Sequence, residues 1–317
     1  MKGSPAGDVS VVICTYDEAR WAALVRAVTS VVHARPGPGE VTVVVDHNPA
    51  LLERVGAELP VTRAVANCGP RGLSGARNRG IAATRGPVVA FLDDDAVADP
   101  DWLVRLAAPY REPEVVAVGG RALPAWEDAR PRWWPEEFDW VVGCSYRGMP
   151  QGRQSVRNLT GCNMSFRRGV FDAVGTFTPG IGRLGTKPVG CEETELCIRV
   201  NQRWPGARIV YEPDAVVHHE VPAARSSWAY FRRRCFAEGQ SKAMVAAARG
   251  QDAALATERG YVVRTLPAGM ARSLAAAATE RRIECLGRAA SIAAGVAVAG
   301  AGYAHGTWQH RAGSGPR

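Results

Sequence analysis

The chain has 317 residues, 46% of them hydrophobic and 22% charged, so it is long and apolar enough to bury a sizeable core. This composition excludes a disordered or fibrous protein. The formal net charge of +8 favours anionic partners, namely nucleotide phosphates, anionic lipids or nucleic acid.

The N-terminus and the cysteines indicate the compartment. Residues 1–8 are short and polar and lead directly into an apolar run, which predicts that no signal peptide precedes the fold. The eight cysteines are scattered, without a Cys-x-x-Cys pair or the spacing of a zinc module, and are interpreted as free thiols in a reducing cytosol. We therefore expect a cytoplasmic protein.

Apolar runs alternate with helical patterns in the N-terminal third of the chain. Runs that are apolar along their whole length indicate strands buried on both faces, so the alternation predicts a parallel sheet covered by helices on both sides. The predicted strands are 9–14, 40–46, 61–66 and 87–92, and helices are predicted up to about residue 34 and at 49–58 and 76–84.

The alternation is lost after about residue 115. Trp and Pro become frequent, and the segment to about residue 157 is predicted to form long loops with short strands, which are usually functional. Its tryptophan-rich part, 126–140, either shapes a binding pocket or simply packs. Helices are predicted at 192–203 and 226–249, the latter basic and amphipathic, and strands at 208–211 and 215–218.

Polar residues follow three of the predicted strands. Thr15 and Asp17 follow the first strand, Asp46 ends the second, and a run from Asp93 to Asp95 follows the fourth. Because ligands bind beyond the carboxyl ends of parallel strands, these segments are expected to converge on one crevice.

The run Asp93, Asp94 and Asp95 is a candidate metal site. Like charges so close together are disfavoured unless a cation neutralises them. Mg²⁺ or Mn²⁺ prefers oxygen ligands and is usually bound by one or two carboxylates together with substrate phosphates. A solvated acidic turn before the next helix accounts for the same residues, so the sequence leaves both interpretations open.

Three further segments carry candidate residues. Residues 72–78 place small residues and Arg77 at a helix N-terminus, which favours an anion, although a tight turn is equally compatible. Glu192 and Glu193 open a predicted helix, where the helix dipole favours carboxylates in any case. His218 and His219 follow a strand and are candidates to contact a metal or a phosphate, or to serve the fold alone.

In their order and spacing, these segments resemble the family 2 glycosyltransferases of the GT-A fold, over residues 9–243. The resemblance implies an α/β fold with a GT-A type, Rossmann-like, mainly parallel sheet, helices on both faces and additional C-terminal helices. The matching segments are VVICTY at 11–16, VVVD at 43–46, GARNRG at 75–80, FLDDD at 91–95, GCNMSFRR at 161–168, EETEL at 192–196 and HH at 218–219.

The resemblance implies how a nucleotide-diphosphate-sugar donor is held. Thr15, Asp17 and Asp46 would hold the base and ribose, and Arg77 would face the nucleotide. His47 departs from the family's pattern, in which a second aspartate often follows the first, so the nucleotide preference stays open.

The resemblance also implies the metal ligands. Asp93 and Asp95 would bind Mg²⁺ or Mn²⁺, and Asp94 would lie beside them on the donor side. His218 or His219 would complete the metal or diphosphate contacts, and the doublet does not tell which of the two does so.

The implied catalytic base is Glu193. The family usually has a Glu-Asp pair here, whereas this chain has Glu192-Glu193, one methylene longer, so both glutamates are candidates. Residues 161–165 resemble the acceptor-side strand under the sugar. The implied reaction is a direct displacement with inversion, in which the base accepts the proton of the acceptor hydroxyl and the metal stabilises the departing diphosphate.

The implied function is metal-dependent transfer of a sugar to a hydroxyl of a glycan, a lipid-linked sugar or a small molecule, as in cell-envelope or polysaccharide biosynthesis. One alternative is an inactive nucleotide- or carbohydrate-binding module of the same fold. A sugar nucleotidyltransferase would need a Gly-rich loop with a basic residue after the first strand, where this chain has Thr-Tyr-Asp-Glu. No nucleic acid is expected as a partner, because the arginines are dispersed and no binding motif accompanies them.

The predicted organisation is a disordered N-terminus (1–8), a GT-A domain (9–222), a helical extension (223–305) and a disordered tail (306–317). The apolar stretch 289–304 is shorter than the roughly 20 residues that span a bilayer, which predicts a packed or interfacial helix. Preceded by Arg281, Arg282 and Arg288, this helix is also suited to rest on an anionic membrane surface at the cytoplasmic face, near a lipid-linked acceptor.

Overall fold

The computed structural model of the protein describes residues 5–181, 190–279 and 282–313. The chain forms two compact units. The first comprises Met1–Leu123, Pro150–Lys187 and Glu192–Glu220, and the second comprises Pro124–Met149, Pro188–Cys191 and Val221–Arg317. The predicted domain boundaries stay a prediction.

Within the described residues the strands and helices follow one another in chain order. The strands are β1 (Val9–Thr15), β2 (Glu40–Asp46), β3 (Arg63–Asn67), β4 (Val88–Asp93), β5 (Ala96–Ala98), β6 (Val115–Trp126), β7 (Gln154–Ser155), β8 (Asn163–Arg167) and β9 (Arg208–Val221). The α-helices are α1 (Trp21–Val32), α2 (Pro49–Glu58), α3 (Leu73–Ala83), α4 (Trp102–Ala107), α5 (Arg168–Val174), α6 (Glu192–Arg203), α7 (Trp228–Arg249), α8 (Gln251–Gly260), α9 (Leu266–Thr279) and α10 (Ile283–Gly313). Short 3₁₀ helices cover Pro5–Asp8, Glu18–Arg20, Ala108–Arg111, Glu136–Val142 and Ala223–Arg225, and a π-helix covers Tyr261–Thr265.

One mixed sheet has the strand order β3-β2-β1-β4-β8-β6-β9-β5, with β7 paired to β9. The strands β3, β2, β1 and β4 are parallel, whereas β8 pairs antiparallel with both β4 and β6. The predicted parallel core is therefore confirmed, and the later strands extend it in the antiparallel sense.

The buried faces of the sheet follow from the sequence pattern. β1 is buried along almost its whole length, as expected for a strand covered on both sides. In α1, Leu24, Ala27, Val28 and Val31 are all fully buried, which is the spacing of one apolar helix face. These side chains pack in one core cluster with inward residues of β1, β2 and β4.

The segment predicted as loops contains the long strand β6. Gly119 and Gly120 allow this strand to pack closely, because a Cβ atom on Gly120 would overlap the Ala215 carbonyl oxygen. Similarly, β9 is continuous across the two strands that we predicted at 208–211 and 215–218. Long-range pairing thus overrides the local turn signals of Pro and Gly.

In the second unit, α7 and α10 lie side by side with direct backbone contact. A Cβ atom on Gly302 would overlap the Phe236 carbonyl oxygen, and one on Gly239 would overlap the Ala299 carbonyl oxygen. Helix α10 extends beyond the apolar stretch 289–304 that we predicted. By length and composition alone, Ile283–Arg311 could cross a membrane, so the membrane-compatible stretch is longer than predicted. About a third of its most apolar window is buried within the protein.

Parts of both termini differ from the predicted disorder. Pro5–Asp8 forms a 3₁₀ helix in which Ala6 is buried. Helix α10 continues to Gly313, and Gly306 in its last part packs against Ala243. The rest of the predicted disorder, at residues 1–4 and 314–317, lies outside the described residues.

Candidate active site

The candidate site lies at the carboxyl ends of the parallel strands in the first unit. In register, Cys14 of β1 pairs with Val44 of β2 and with Asp93 of β4. Thr15, Asp46 and Asp93 therefore leave the sheet at the same edge. The structure thus brings together the three strand-end segments that the sequence predicted to converge.

Asp46 organises the loop between β3 and α3. Its Oδ1 accepts a hydrogen bond from Asn67 Nδ2 at 2.6 Å and lies 2.8 Å from His47 Nδ1, while Oδ2 accepts the Gly72 backbone N–H at 2.9 Å. His47 and Gly72 have positive φ angles of 53° and 111°, which histidine tolerates better than most side chains and glycine adopts freely. The role of Asp46 toward the donor stays a prediction.

The first loop is held by Asp17. Its Oδ1 accepts the Ala19 backbone N–H at 3.0 Å and so caps the short helix Glu18–Arg20. Asp17 is exposed at the end of β1, whereas Thr15 is buried. Thr15 and Asp17 therefore both lie at the carboxyl end of β1, and their contact with the donor stays a prediction.

Three side chains from two strand ends form a cluster that can hold a metal. One ligand atom each of Asp93, Asp95 and His219 lies within 4.8 Å of the others, and His219 Nε2 is 3.1 Å from Asp95 Oδ1. Two carboxylate ligands suit Mg²⁺ or Mn²⁺, which prefer oxygen atoms. The ligand atoms of Asp93, Asp95 and His219 therefore fit the Mg²⁺ or Mn²⁺ ion that the resemblance implied.

The histidine doublet is divided by the alternation of β9. Adjacent side chains of a strand point to opposite faces, so only one histidine can join the aspartates. His219 is buried in the cluster, whereas the His218 side chain is 46% exposed and contacts Asp99 at 3.0 Å. The structure therefore brings His219, and not His218, to the candidate metal ligands.

Arg20 is a site residue that the sequence analysis missed. Its Nη2 lies 2.7 Å from Asp94 Oδ1 and 2.5 Å from Asp95 Oδ2. Burial raises the pKa of Asp94 to about 7, while the charge of Arg20 and the Thr15 hydroxyl act in the opposite direction. An arginine in the polar loop that follows the first strand was the signal that could have indicated it.

Arg77 is buried and connects four parts of the first unit. Its Nη1 donates to Glu192 Oε1 at 2.6 Å, and its Nη2 donates to the Gly161 carbonyl at 2.9 Å and lies 3.3 Å from Asp93 Oδ1. Arg77 thus ties α3 to β4, to the loop before β8 and to α6. These contacts engage both terminal nitrogens with protein groups, and the predicted contact with the nucleotide stays untested.

The two candidate bases have different surroundings at the start of α6. Glu192 is buried against Arg77, whereas Glu193 is half-buried and its Oε1 accepts the Thr194 hydroxyl at 3.2 Å. A Cβ atom on Gly161 would lie 3.3 Å from Arg77 Nη2 and 3.8 Å from Glu193 Oε2. The small residue therefore leaves room for the Arg77 guanidinium, with Glu193 beside the same position.

Asn67 is a second residue that the sequence analysis missed. It is buried, donates to Asp46 and to the Pro70 carbonyl, and accepts the Gly69 backbone N–H at 3.0 Å. Asn67 directly follows the third predicted strand, so the rule that strand ends share one edge would have found it.

A family model described as glycosyl transferase family 2 matches residues 10–175. The glucosyl-dolichyl phosphate glucuronosyltransferase of Haloferax volcanii is 39% identical over 74% of this chain and 76% of its own length. The succinoglycan biosynthesis protein ExoM of Rhizobium meliloti is 27% identical over 74% of this chain and 73% of its own length.

Solved structures support the same fold. The mannosyltransferase PcManGT from Pyrobaculum calidifontis, in complex with GDP-Man and Mn²⁺, superposes with a TM-score of 0.60 at 18% identity, over 95% of this chain and 87% of its own. GalNAc-T7 with UDP, GalNAc and Mn²⁺ gives a TM-score of 0.51 at 19% identity, over 72% and 47% of the two chains. Because the family model spans more than half of the chain and the Haloferax relative aligns with 74% of it, the protein belongs to glycosyl transferase family 2 and is a glycosyltransferase with the GT-A fold.

Proposed function

We propose that the protein transfers a sugar, with inversion, from a nucleotide-diphosphate-sugar to an acceptor hydroxyl, and that the reaction requires Mg²⁺ or Mn²⁺. The observation that carries this proposal is the position of Arg77. Its guanidinium lies between Glu192 at the start of α6 and Asp93 of the metal cluster. The buried guanidinium of Arg77 therefore connects the start of α6, which carries the proposed base, to the end of β4, which carries a proposed metal ligand.

The donor pocket is proposed at the edge formed by β1, β2 and β4. Thr15, Asp17 and Asp46 would hold the base and ribose, and Asp94 would support the donor side of the metal cluster. Asp93, Asp95 and His219 would hold the metal, which when bound stabilises negative charge on the departing diphosphate. Asp95 and His219 are buried, which strengthens their electrostatic interaction with a bound cation.

The acceptor is activated by Glu193. Its carboxylate would accept the hydroxyl proton while the acceptor oxygen bonds to the anomeric carbon and the bond from that carbon to the diphosphate oxygen breaks. Glu192 would act through Arg77, since the buried pair fixes the first turn of α6. Both glutamates lie in the first turn of α6, where the helix dipole favours a negative charge.

We propose a lipid-linked or glycan acceptor at the cytoplasmic face of a membrane. The Haloferax relative is named for a dolichyl phosphate substrate and the Rhizobium relative for succinoglycan biosynthesis. The length and apolar composition of α10 suit contact with a membrane surface. Nucleic acid is not proposed as a partner.

The direct test measures nucleotide diphosphate release from a panel of UDP-, GDP- and dTDP-sugars, with and without Mn²⁺ or Mg²⁺. Asp95→Ala and Glu193→Gln are compared with Asp101→Ala and Glu58→Gln, which change exposed carboxylates that pair with arginines of their own helical segments. We expect one donor to be cleaved only with metal, and only the first two variants to lose about a hundredfold or more in turnover.

The same experiment separates the proposal from the binding-module alternative. Nucleotide binding in calorimetry without turnover, in the presence of lipid-linked and glycan acceptors, would identify an inactive module. Metal-independent turnover would contradict the proposed metal requirement while leaving sugar transfer intact.

A further inference from the structure

Arg20 contacts the proposed metal site without being one of its ligands. A single nitrogen, Nη2, lies 2.7 Å from Asp94 Oδ1 and 2.5 Å from Asp95 Oδ2. The side chains of Asp94 and Asp95 are 4% and 7% exposed, and that of Arg20 is 23% exposed. The guanidinium therefore belongs to the interior of the site, and its contacts are largely removed from solvent.

The cap at Asp17 fixes where this guanidinium lies. Asp17 accepts the Ala19 backbone N–H, and the Arg20 backbone N–H donates to the Asp17 carbonyl at 3.1 Å. Both bonds hold the short helix Glu18–Arg20 at the end of β1. The backbone at Ala19 and Arg20 is thus fixed by two hydrogen bonds to Asp17, which limits where the long Arg20 side chain can reach.

The two oxygens of Asp95 face different partners. Oδ2 contacts Arg20, whereas Oδ1 lies 3.1 Å from His219 Nε2, within the cluster that includes Asp93. An ion held by His219 and Asp95 Oδ1 would therefore meet a carboxylate whose second oxygen, Oδ2, already contacts Arg20. That arrangement favours coordination by one oxygen of Asp95.

We propose that Arg20 is a positioning residue that restricts Asp95 to one metal-facing oxygen and thereby makes the site prefer Mg²⁺ or Mn²⁺ to Ca²⁺. Ca²⁺ accepts bidentate carboxylates in flexible geometry at about 2.3–2.6 Å, whereas Mg²⁺ requires a near-octahedral set at about 2.0–2.1 Å. Loss of Arg20 releases Oδ2, which lets Asp95 bind the larger ion through both oxygens. The inference rests on the proposed metal dependence of the site.

The preference between Ca²⁺ and Mn²⁺ distinguishes the positioning of Asp95 by Arg20 from the general effect of the Arg20 charge. Removal of a positive charge strengthens the attraction for every divalent cation alike, so it changes both dissociation constants in the same direction. The ratio of the Ca²⁺ and Mn²⁺ dissociation constants therefore reports how Asp95 is held. A residue that only supports the fold would not change this ratio.

The experiment measures Mn²⁺ binding to the full chain by electron paramagnetic resonance and Ca²⁺ binding by competition. In Arg20→Gln we expect the Ca²⁺/Mn²⁺ ratio of dissociation constants to fall about tenfold, the size of effect typical of residues that orient metal ligands. Arg20→Lys keeps a cation beside Oδ2 and is expected to stay within about threefold of the wild type. The matched control is Arg26→Gln, which removes an arginine that pairs with Glu220 outside the cluster and should leave the ratio unchanged.

A charge-balanced variant keeps the test valid if Arg20→Gln does not fold. Arg20→Gln/Asp94→Asn removes one charge of each sign and leaves Asp95 equally released, so the same fall in the ratio is expected. An unchanged ratio in a folded variant that lacks Arg20, with Mn²⁺ still bound, overturns the inference alone. Failure of the wild type to bind either ion overturns the proposed metal dependence together with the inference.

Discussion

Glu192 and Glu193 are neighbours in sequence with different physical tasks. Glu192 is buried and accepts a hydrogen bond from Arg77 at 2.6 Å, whereas Glu193 keeps access to solvent in the first turn of α6. A buried guanidinium needs an anionic partner, because an uncompensated charge in the interior is unfavourable. The proton acceptor of the pair is therefore expected to be the more exposed glutamate.

We predict that substitution of Glu192 mainly lowers stability, whereas substitution of Glu193 mainly lowers turnover. Glu192→Gln should lower the free energy of unfolding by about 2–3 kcal/mol, because Arg77 loses a charged hydrogen-bond partner. Glu193→Gln should change it by less than about 0.5 kcal/mol and lower turnover by about 10²–10⁴-fold. Chemical denaturation and nucleotide release measure the two effects, and a reversed pattern would make Glu192 the base.

Helices α7 and α10 show how glycine positions an element of the second unit. Gly239 and Gly302 lie where the two helix backbones touch, so a methyl group at either position would overlap a carbonyl oxygen of the facing helix. Among the described residues, and apart from the nearby backbone of its own helix, no atom lies within 4 Å of where a Cβ atom on Gly300 would be. Gly302 therefore faces the neighbouring helix α7, whereas Gly300, half a turn away, faces open space.

This contrast predicts opposite effects of the same substitution. Gly302→Ala should destabilise the protein by about 1–3 kcal/mol, because the helix pair must separate. Gly300→Ala should stabilise it by roughly 0.5–1 kcal/mol, because alanine favours the helix and nothing is displaced. Thermal denaturation of both variants is the measurement, and equal effects would show that α10 does not pack on α7 in solution.

The distribution of charge over the whole molecule is uneven. Residues 221–317 contain 14 Lys and Arg against 5 Asp and Glu, a net charge of +9, and the preceding 220 residues contain 25 against 26. The positive charge that the composition indicated therefore does not belong to the first 220 residues, which contain nearly all of the sheet. It accompanies the C-terminal helices, where Val263, Ile283 and Trp308 are also exposed.

This asymmetry predicts salt-dependent binding of the full chain to anionic vesicles. Flotation with phosphatidylglycerol-containing vesicles should be strong at low salt and fall about tenfold at 1 M salt, because ions screen basic residues near a charged surface. Vesicles of phosphatidylcholine alone are the control and should bind weakly. Equal binding to both vesicle types at every salt concentration would contradict an electrostatic attraction between the basic C-terminal residues and the membrane.

The sequence alone determined the parallel half of the sheet and the edge of the sheet at which the candidate site lies. Continuous apolar runs at 9–14, 40–46 and 87–92 specify buried strands, and the shared edge of their carboxyl ends follows from parallel pairing. The sequence therefore places Asp46 and Asp93 at that edge. Local composition is sufficient here because each run carries its own burial signal.

Only the tertiary structure decided which side chains meet. His219 joins Asp93 and Asp95 because β9 presents one face to the site, and the phase of a strand is set by its long-range register. Arg20 reaches Asp94 and Asp95 from a segment more than seventy residues earlier, and no local pattern encodes that distance. Periodicity fixes what a segment becomes, whereas contacts between distant segments depend on how the whole chain packs.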